Sequence, residues 1–318
     1  MEKYIDFKNE KINNNLVLSI EEAGKSADAI KKGEKVIKII TTVLVYAFIL
    51  ALALTVLFPF YWMIITSLKQ REEIIQANQT FFPNIVMWSN YSYVFEVFDF
   101  TTYMKNTIVV AIFSTAGTLI TTIFAAFAFA RLKFKGNDVV FAIFLMTMMI
   151  PGEMMVISNY LTVSALGWIK DQTLTEAYAA MIVPFLVSVF HIYLLRQNFK
   201  QIPNELYLAA KVDGKSDWDF LWKVMVPLVA PTLISITILK FMGTWNSYVW
   251  PNLVTKRDEF RLISNGLRGS GFTDPDSGIV EYGYQMAASF CVTVPLFLLF
   301  VFFRKYIMKG VGRAGIKG

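Results

Sequence analysis

Six long apolar runs constrain this chain more than any motif in it. They cover residues 39–66, 107–130, 139–160, 177–195, 226–250 and 286–303. Each is close to the ~20 residues that carry a helix across a hydrocarbon core. One soluble core has no room for them, since 55% of the 318 residues are hydrophobic, 28 are phenylalanine and only 17% are charged. The solvent of such a chain is lipid. Backbone N–H and C=O groups must there be satisfied within each segment, so the runs are expected to be helices. The fold class that follows is an all-α membrane protein with six transmembrane helices. Pro151, Gly152 and Glu153 interrupt the third run and mark it as the least regular.

Charge assigns the sides. Segments 1–38, 131–138, 196–223 and 304–318 together carry 21 Lys and Arg, while 67–105, 161–176 and 251–284 carry 8. Basic residues accumulate in cytoplasmic loops, which predicts a multi-pass protein of the cell (cytoplasmic) membrane with both termini cytoplasmic. The net charge of +6 is then topology, with no nucleic acid implied. The domain expectation is a cytoplasmic N-terminal tail (1–38), a transmembrane domain (39–303) and a cytoplasmic C-terminal tail (304–318). The tail 1–38 is polar enough for either a short helix near 20–38 or partial disorder. Its polarity and the length of the first apolar run argue against a cleaved signal peptide. The aromatic clusters Phe58, Phe60, Tyr61, Trp62 and Trp245, Tyr248, Trp250 suit the outer membrane interface.

Little here points to bond chemistry. Cys291, the one cysteine, lies in an apolar run and is expected as a small buried hydrophobe. His191, the one histidine, has no second His or Cys to complete a zinc site and is expected as a polar residue satisfied by neighbouring helices. No His, Cys and Asp set converges, so the expectation is no catalytic residue, no metal and no cofactor bound by this chain. Gly310, Gly312 and Gly315 spell G-x-G-x-x-G, but a membrane helix precedes them where the dinucleotide fingerprint needs a strand. They are expected to belong to a basic tail. A Walker A sequence is absent, so any ATP that drives this protein, with its Mg, binds to another chain.

The loop 202–225 is different in kind. Pro203 suits the first turn of a helix, and Asn204 or its neighbour can cap it. Leu206, Ala209 and Ala210 share one helical face, and Tyr207, Leu208 and Lys211 the next. Gly214 is the residue type that ends a helix left-handed. Ser216 offers a new N-cap, and Trp218, Leu221, Trp222 and Met225 follow at helical spacing before Pro227. The pattern predicts a helix, a glycine turn and a second helix. Such a unit either lies on the lipid surface or is presented to a groove in a soluble partner.

The run Pro203 to Gly214 (PNELYLAAKVDG), continuing to Pro227–Leu228 and Pro231, resembles the EAA loop of ABC importer permeases. That family's signature is roughly E-A-A-x-x-x-G with Pro-Leu about a dozen residues later. This chain keeps Ala209, Ala210, Asp213, Gly214 and Pro227–Leu228 and has Leu208 where the glutamate is usual. Asn106–Thr107, the stretch Ala125 to Arg131, Phe134–Lys135–Gly136, Trp245–Asn246, Trp250–Pro251 and the ending from Gly310 through Ala314 to Gly318 are similar to the carbohydrate-importing, MalG-like branch. Together these cover about residues 40–318.

The resemblance implies a MetI-like permease fold and a transport subunit that is not itself an enzyme. It implies a heterodimer with a second permease subunit, a dimeric cytoplasmic ABC ATPase that binds ATP and Mg, and an extracytoplasmic solute-binding protein, all in a lipid bilayer. The cargo implied is a sugar or oligosaccharide; a related solute such as glycerol phosphate is the alternative. Glu205, Leu206, Tyr207, Leu208, Ala209, Ala210, Lys211, Asp213 and Gly214 would contact the ATPase, with Trp218 and Trp222 anchoring the second helix. An ATP-independent transporter is the rival from another class. Internal repeats or rows of ionisable residues would favour it, and the sequence shows neither.

For the solute pathway, the residues to test are polar groups within spans. Lys240 lines up with Thr237, Thr244 and Ser247 at helical spacing, a stripe expected to face the pore or the sister subunit, unless Lys240 snorkels or is paired within the bundle. Trp245 and Asn246 suit sugar faces and hydroxyls, and Trp245 equally suits the membrane interface. Glu153 is expected to line the cavity or to sit at the break in the third span. Ala111, Ser114, Thr115, Thr118, Thr121, Thr122 and Ala125 form a small-residue face for close helix packing.

Overall fold

The structure, a computed structural model, describes residues 2–269, 272–273, 278 and 280–312. The chain divides into two units, residues 1–62 and 63–318. In the first, the backbone is helical from its first described residue: α1 runs Glu2–Ser67 and continues from there into the second unit. The tail that the sequence leaves between a short helix and partial disorder is therefore helical across its described residues. Farther along α1, Phe58 stacks on Trp62 with ring centres 5.9 Å apart.

The second unit holds the remaining elements. Two short helices, α2 (Arg71–Ile74) and α3 (Ser89–Val97), precede the long α4 (Phe100–Arg131). Asp99 starts α4 by accepting the Thr102 N–H at 3.0 Å, which satisfies one of the donors a helix start leaves free. Then come α5 (Asn137–Thr147), a 3-10 turn (Gly152–Met155) and α6 (Val156–Ala165). Next are α7 (Leu174–Ile182), a 3-10 turn (Val183–Phe185) and α8 (Val189–Gln201). The loop region holds α9 (Asn204–Val212), α10 (Asp217–Phe220), a π-helical turn (Leu221–Met225) and α11 (Val226–Leu228). The chain continues through α12 (Ala230–Trp245), α13 (Val249–Val254), α14 (Ile263–Gly269) and α15 (Tyr282–Gly312). Among the described residues there is no named strand, only an isolated bridge between Thr273 and Val280. Gly310 and Gly312 continue α15, whereas Gly315 lies outside the described residues.

Among the described residues, three helical segments are long and apolar enough to cross a membrane unbroken: Ile37–Ser67, Phe100–Arg131 and Tyr282–Lys305. The other three apolar runs are bent pairs, with angles of 88°, 50° and 77° between their halves. The break in the third run falls at Pro151–Gly152, as the sequence suggests. The fourth, read from sequence as one helix over 177–195, bends between Phe185 and Val189, just past Pro184, which has no N–H to give and crowds the preceding turn. The fifth starts at Ala230 and ends at Trp245, later and earlier than the expected 226–250. Its entry bends between Leu228 and Ala230, where Pro227 and Pro231 flank the joint.

α4 is central to this unit. Its small residues Ala111, Ser114, Thr118 and Thr122 are buried, so neighbouring backbones approach closely. The break in the fourth run strands carbonyls that a continuous helix would have used. Thr118 Oγ1 donates to Phe185 O at 3.2 Å and Thr121 Oγ1 to Leu186 O at 2.6 Å. The threonines of α4 thus serve as both spacers and caps.

Candidate functional site

The loop between α8 and α12 folds as a helix, a turn and a second helix. α9 ends in a Schellman motif: Lys215 N–H reaches Ala210 O at 2.9 Å and Gly214 N–H reaches Lys211 O at 3.1 Å. Gly214 has φ +68°, the left-handed conformation that a Cβ disfavours. Ser216 then caps α10 by accepting Asp219 N–H at 3.1 Å. Pro203 takes the N-cap position of α9. The Asn204 side chain does not cap it; its Oδ1 is held by Arg131 at 3.4 Å.

The two halves are tied across the turn. Tyr207 O–H donates to Asp217 Oδ1 at 2.7 Å, and Lys211 Nζ meets the same oxygen at 2.8 Å. Asp217, by hydrogen-bonding it, holds the Lys211 ammonium above the ordinary lysine value. Burial, then the Asp217 contact, pushes the Tyr207 phenol up. The Tyr207 ring packs edge-on against Phe220 at 5.1 Å.

Inward, Phe220, Leu221 and Met225 are buried in one cluster with Ile123, Ala126 and Phe127 of α4, Leu195 and Phe199 of α8, and Ile236 of α12. These are the anchors of the second helix, rather than the expected Trp218 and Trp222. Leu221 and Met225 come from the face that regular helical spacing predicts, whereas Trp218 and Trp222 of that face stay exposed. Trp218, 61% exposed, stacks on Phe124 of α4 at 5.8 Å, and Trp222 meets the same ring edge-on. Outward, Glu205, Leu206, Leu208, Ala209 and Val212 are exposed, while Ala210 is half-buried against the cluster and Asp213 closes the helix. Large apolar side chains on a rigid, capped knob are what a groove in a partner would bury.

A second contributor was not foreseen from sequence. Arg131, at the end of α4, donates to Phe199 O at 2.8 Å and Ile202 O at 2.5 Å. It clamps the base of the loop to α4. A basic residue in the last turn of a helix is its only sequence signal.

Within the bundle, a cavity of about 280 Å³ is lined by Lys240, Thr244 and Ser247 of the expected stripe, together with Ser114, His191 and Trp250. Lys240 Nζ donates to Phe185 O at 3.0 Å. That carbonyl lies at the C-terminal end of the broken helix, where a cation is favoured. His191 Nδ1 is buried with no hydrogen-bond partner among the described residues, in contrast to the satisfied residue expected. Trp250 Nε1 donates to Ala180 O at 3.0 Å and presents its ring to the cavity. No carboxylate is among the lining residues.

Other sequence candidates lie elsewhere. Thr237 faces an apolar groove between α12 and α15 and bonds its own helix at Leu233 O. Trp245, 3% exposed, packs with Val94, Phe98 and Ile263. Asn246 is exposed and bonds back to Met242 O. Glu153 is exposed on the 3-10 turn at the third-span break and does not line this cavity.

An all-helical unit with broken spans, a mid-span polar cavity and a capped helix–turn–helix at one end defines a membrane transport subunit. Residues 117–313 match the family model described as binding-protein-dependent transport system inner membrane component, and the chain belongs to that family. It is similar to the arabinooligosaccharides transport system permease protein AraQ of Bacillus subtilis, 28% identical across 85% of this chain and 94% of the relative. It is also similar to the diacetylchitobiose uptake system permease protein DasC of Streptomyces coelicolor, 30% identical across 82% and 92%. The trehalose/maltose transport system permease protein MalG of Thermococcus litoralis is 29% identical across 84% and 94%. Among solved structures, a bacterial ABC transporter involved in import of the acidic polysaccharide alginate matches with TM-score 0.71 at 24% identity, over 86% of this chain and 97% of that one. That likeness bears on the fold. The chain is thus a multi-pass transport subunit of the cell membrane and not an enzyme.

Proposed function

We propose that this chain is one half of the pore of an ATP-driven importer of a sugar or oligosaccharide. The observation that carries this is the loop from α9 to α11, braced inside by Phe220, Leu221 and Met225 and apolar outside at Leu206, Leu208 and Val212. A second, similar permease completes the pore as a heterodimer. The loop seats in a cleft of a dimeric cytoplasmic ABC ATPase, which binds ATP and Mg; this chain binds neither. An extracytoplasmic solute-binding protein delivers the cargo. Both termini and the loop are cytoplasmic, in keeping with the Lys and Arg bias. The relatives named for oligosaccharides support the cargo class.

One observation favours a narrower cargo. Among the described residues the half-buried Lys240 meets a carbonyl and no carboxylate, and a cation withdrawn from water seeks an anion. An acidic saccharide or a phosphorylated polyol suits it better than a neutral sugar.

Copurification from the native membrane in gentle detergent tests the assembly. An ATPase and a second permease are expected in the eluate, with ATP hydrolysis raised by the loaded binding protein. A chain that elutes alone under conditions preserving membrane complexes overturns the proposal.

A further inference from the structure

At the end of the spans that carries the α9 loop, the chain builds a second polar cavity, of about 580 Å³. It lies where α4 ends, α5 begins and α8 ends, and five cations border it: Arg131, Lys133, Lys135, Arg196 and Lys200. One carboxylate, Asp138, faces them, 3.7 Å from Arg196. Arg131 is spent on carbonyls, and its Nε is buried with no partner among the described residues. Lys133, Lys135 and Lys200 are exposed and form no ion pair among the described residues. Orienting the chain needs basic residues near a span end, but it does not need them around one cavity.

We propose that this cavity binds the phosphate of an anionic phospholipid headgroup. Two features point to a lipid source. The cations stand at the very end of a membrane-spanning helix, the depth at which headgroups lie. Apolar residues continue from the cavity into the hydrocarbon: Leu132 and Phe134 stand at its mouth, and Val139 and Ile143 are exposed along α5. A bound phosphate also touches the base of the α9 loop. Asn204 lines the cavity, and Arg131 holds Asn204, Ile202 and Phe199 together. The lipid would therefore brace the joint between α4 and the loop. The inference needs the membrane placement of the chain and is independent of the cargo.

Native mass spectrometry of the purified full-length protein, in its copurifying complex, tests it. The probes are phosphatidylglycerol, phosphatidylcholine and inorganic phosphate. The test variant is Lys133→Gln/Lys135→Gln/Lys200→Gln; a control, Lys105→Gln/Lys170→Gln/Lys256→Gln, removes the same charge from exposed positions elsewhere. Near a membrane surface each lysine contributes roughly fivefold in affinity, so the test variant should bind phosphatidylglycerol about a hundredfold more weakly. The control should stay within about twofold, and wild type should prefer phosphatidylglycerol over phosphatidylcholine. Equal loss in both variants, or no preference between the lipids, overturns the proposal. Displacement of the lipid by millimolar inorganic phosphate also overturns it, by assigning the cavity to a free anion.

Discussion

Replacing Gly214 separates backbone geometry from side-chain volume at the α9 loop. A Cβ built at this position meets nothing within 4 Å, while φ is +68°. Substitution therefore costs conformation alone. For an ordinary L-residue the left-handed state costs roughly 1–2 kcal/mol, and Asn tolerates it better because its side chain bonds locally. At about 1.4 kcal/mol per tenfold, Gly214→Ala should cut the turned population about 5- to 30-fold relative to open forms. Apparent affinity for the ATPase falls by up to the same factor if only the turned form docks. Proline, locked at a negative φ and without an N–H, removes the bond to Lys211 O as well. The expected order of ATPase retained on the permease, measured over a dilution series in gentle detergent, is Gly, Asn, Ala, Pro. Asn is larger than Ala, so this order runs against volume. Retention that follows side-chain size, or Ala indistinguishable from Gly at twofold resolution, would refute the backbone argument.

Trp218→Ala removes a ring stacked on Phe124 but largely exposed. The fold should lose only about 1 kcal/mol, while ATPase retention drops tenfold or more; a parallel fall in thermal stability and retention would make Trp218 a packing residue only. Lys240→Met deletes a mid-span charge that costs about 2.5–3.5 kcal/mol on insertion scales. The thermal midpoint should hold or rise while uptake of an acidic oligosaccharide falls and that of a neutral one does not. Equal loss of both cargoes would place Lys240 in structure rather than selectivity. Gly266→Ala would set a Cβ 2.5 Å from the Tyr103 ring, an overpacking cost of about 1–3 kcal/mol. Its melting point should fall and recover in Gly266→Ala/Tyr103→Leu; no recovery means the strain lies elsewhere.

What the sequence made legible follows the range of the interactions involved. Hydropathy gave the apolar runs because lipid acts on each segment separately, and Gly214 and Ser216 announced the turn because their roles are local. The break at Pro151–Gly152 was visible for the same reason. Pro184 was the missed signal: it sits inside a run apolar enough to span, and periodicity alone does not register a lost N–H. Three of the four residues of the stripe through α12 and just past it line one cavity. Thr244 and Ser247 share the cavity with Lys240, but Thr237 turns toward α15. His191, Trp250 and the Phe185 carbonyl reach that cavity from other helices, so no spacing within one segment reveals them. Arg131 is the extreme case, since its partners Phe199 and Ile202 are 68 and 71 residues away.

The same long-range contacts constrain how force can pass through the molecule. A loop that merely touched the bundle would bend when pulled, and its motion would be lost. Here the inner face of α10 and the π-helical turn shares one buried cluster with α4, α8 and α12, and close-packed interiors transmit displacement instead of absorbing it. Arg131 adds a polar tie between α4 and the base of the loop. The compliant points lie elsewhere, at the breaks near Val229 and between α7 and α8, where backbone bonds are interrupted. The second of these breaks presents Phe185 O to Lys240. The stiff path from the α9 loop to the cavity is therefore α4, whose Thr118 holds Phe185 O and whose Ser114 lines the cavity. The Lys240 to Phe185 contact thus joins α12 to the α7–α8 break at the wall of the cavity.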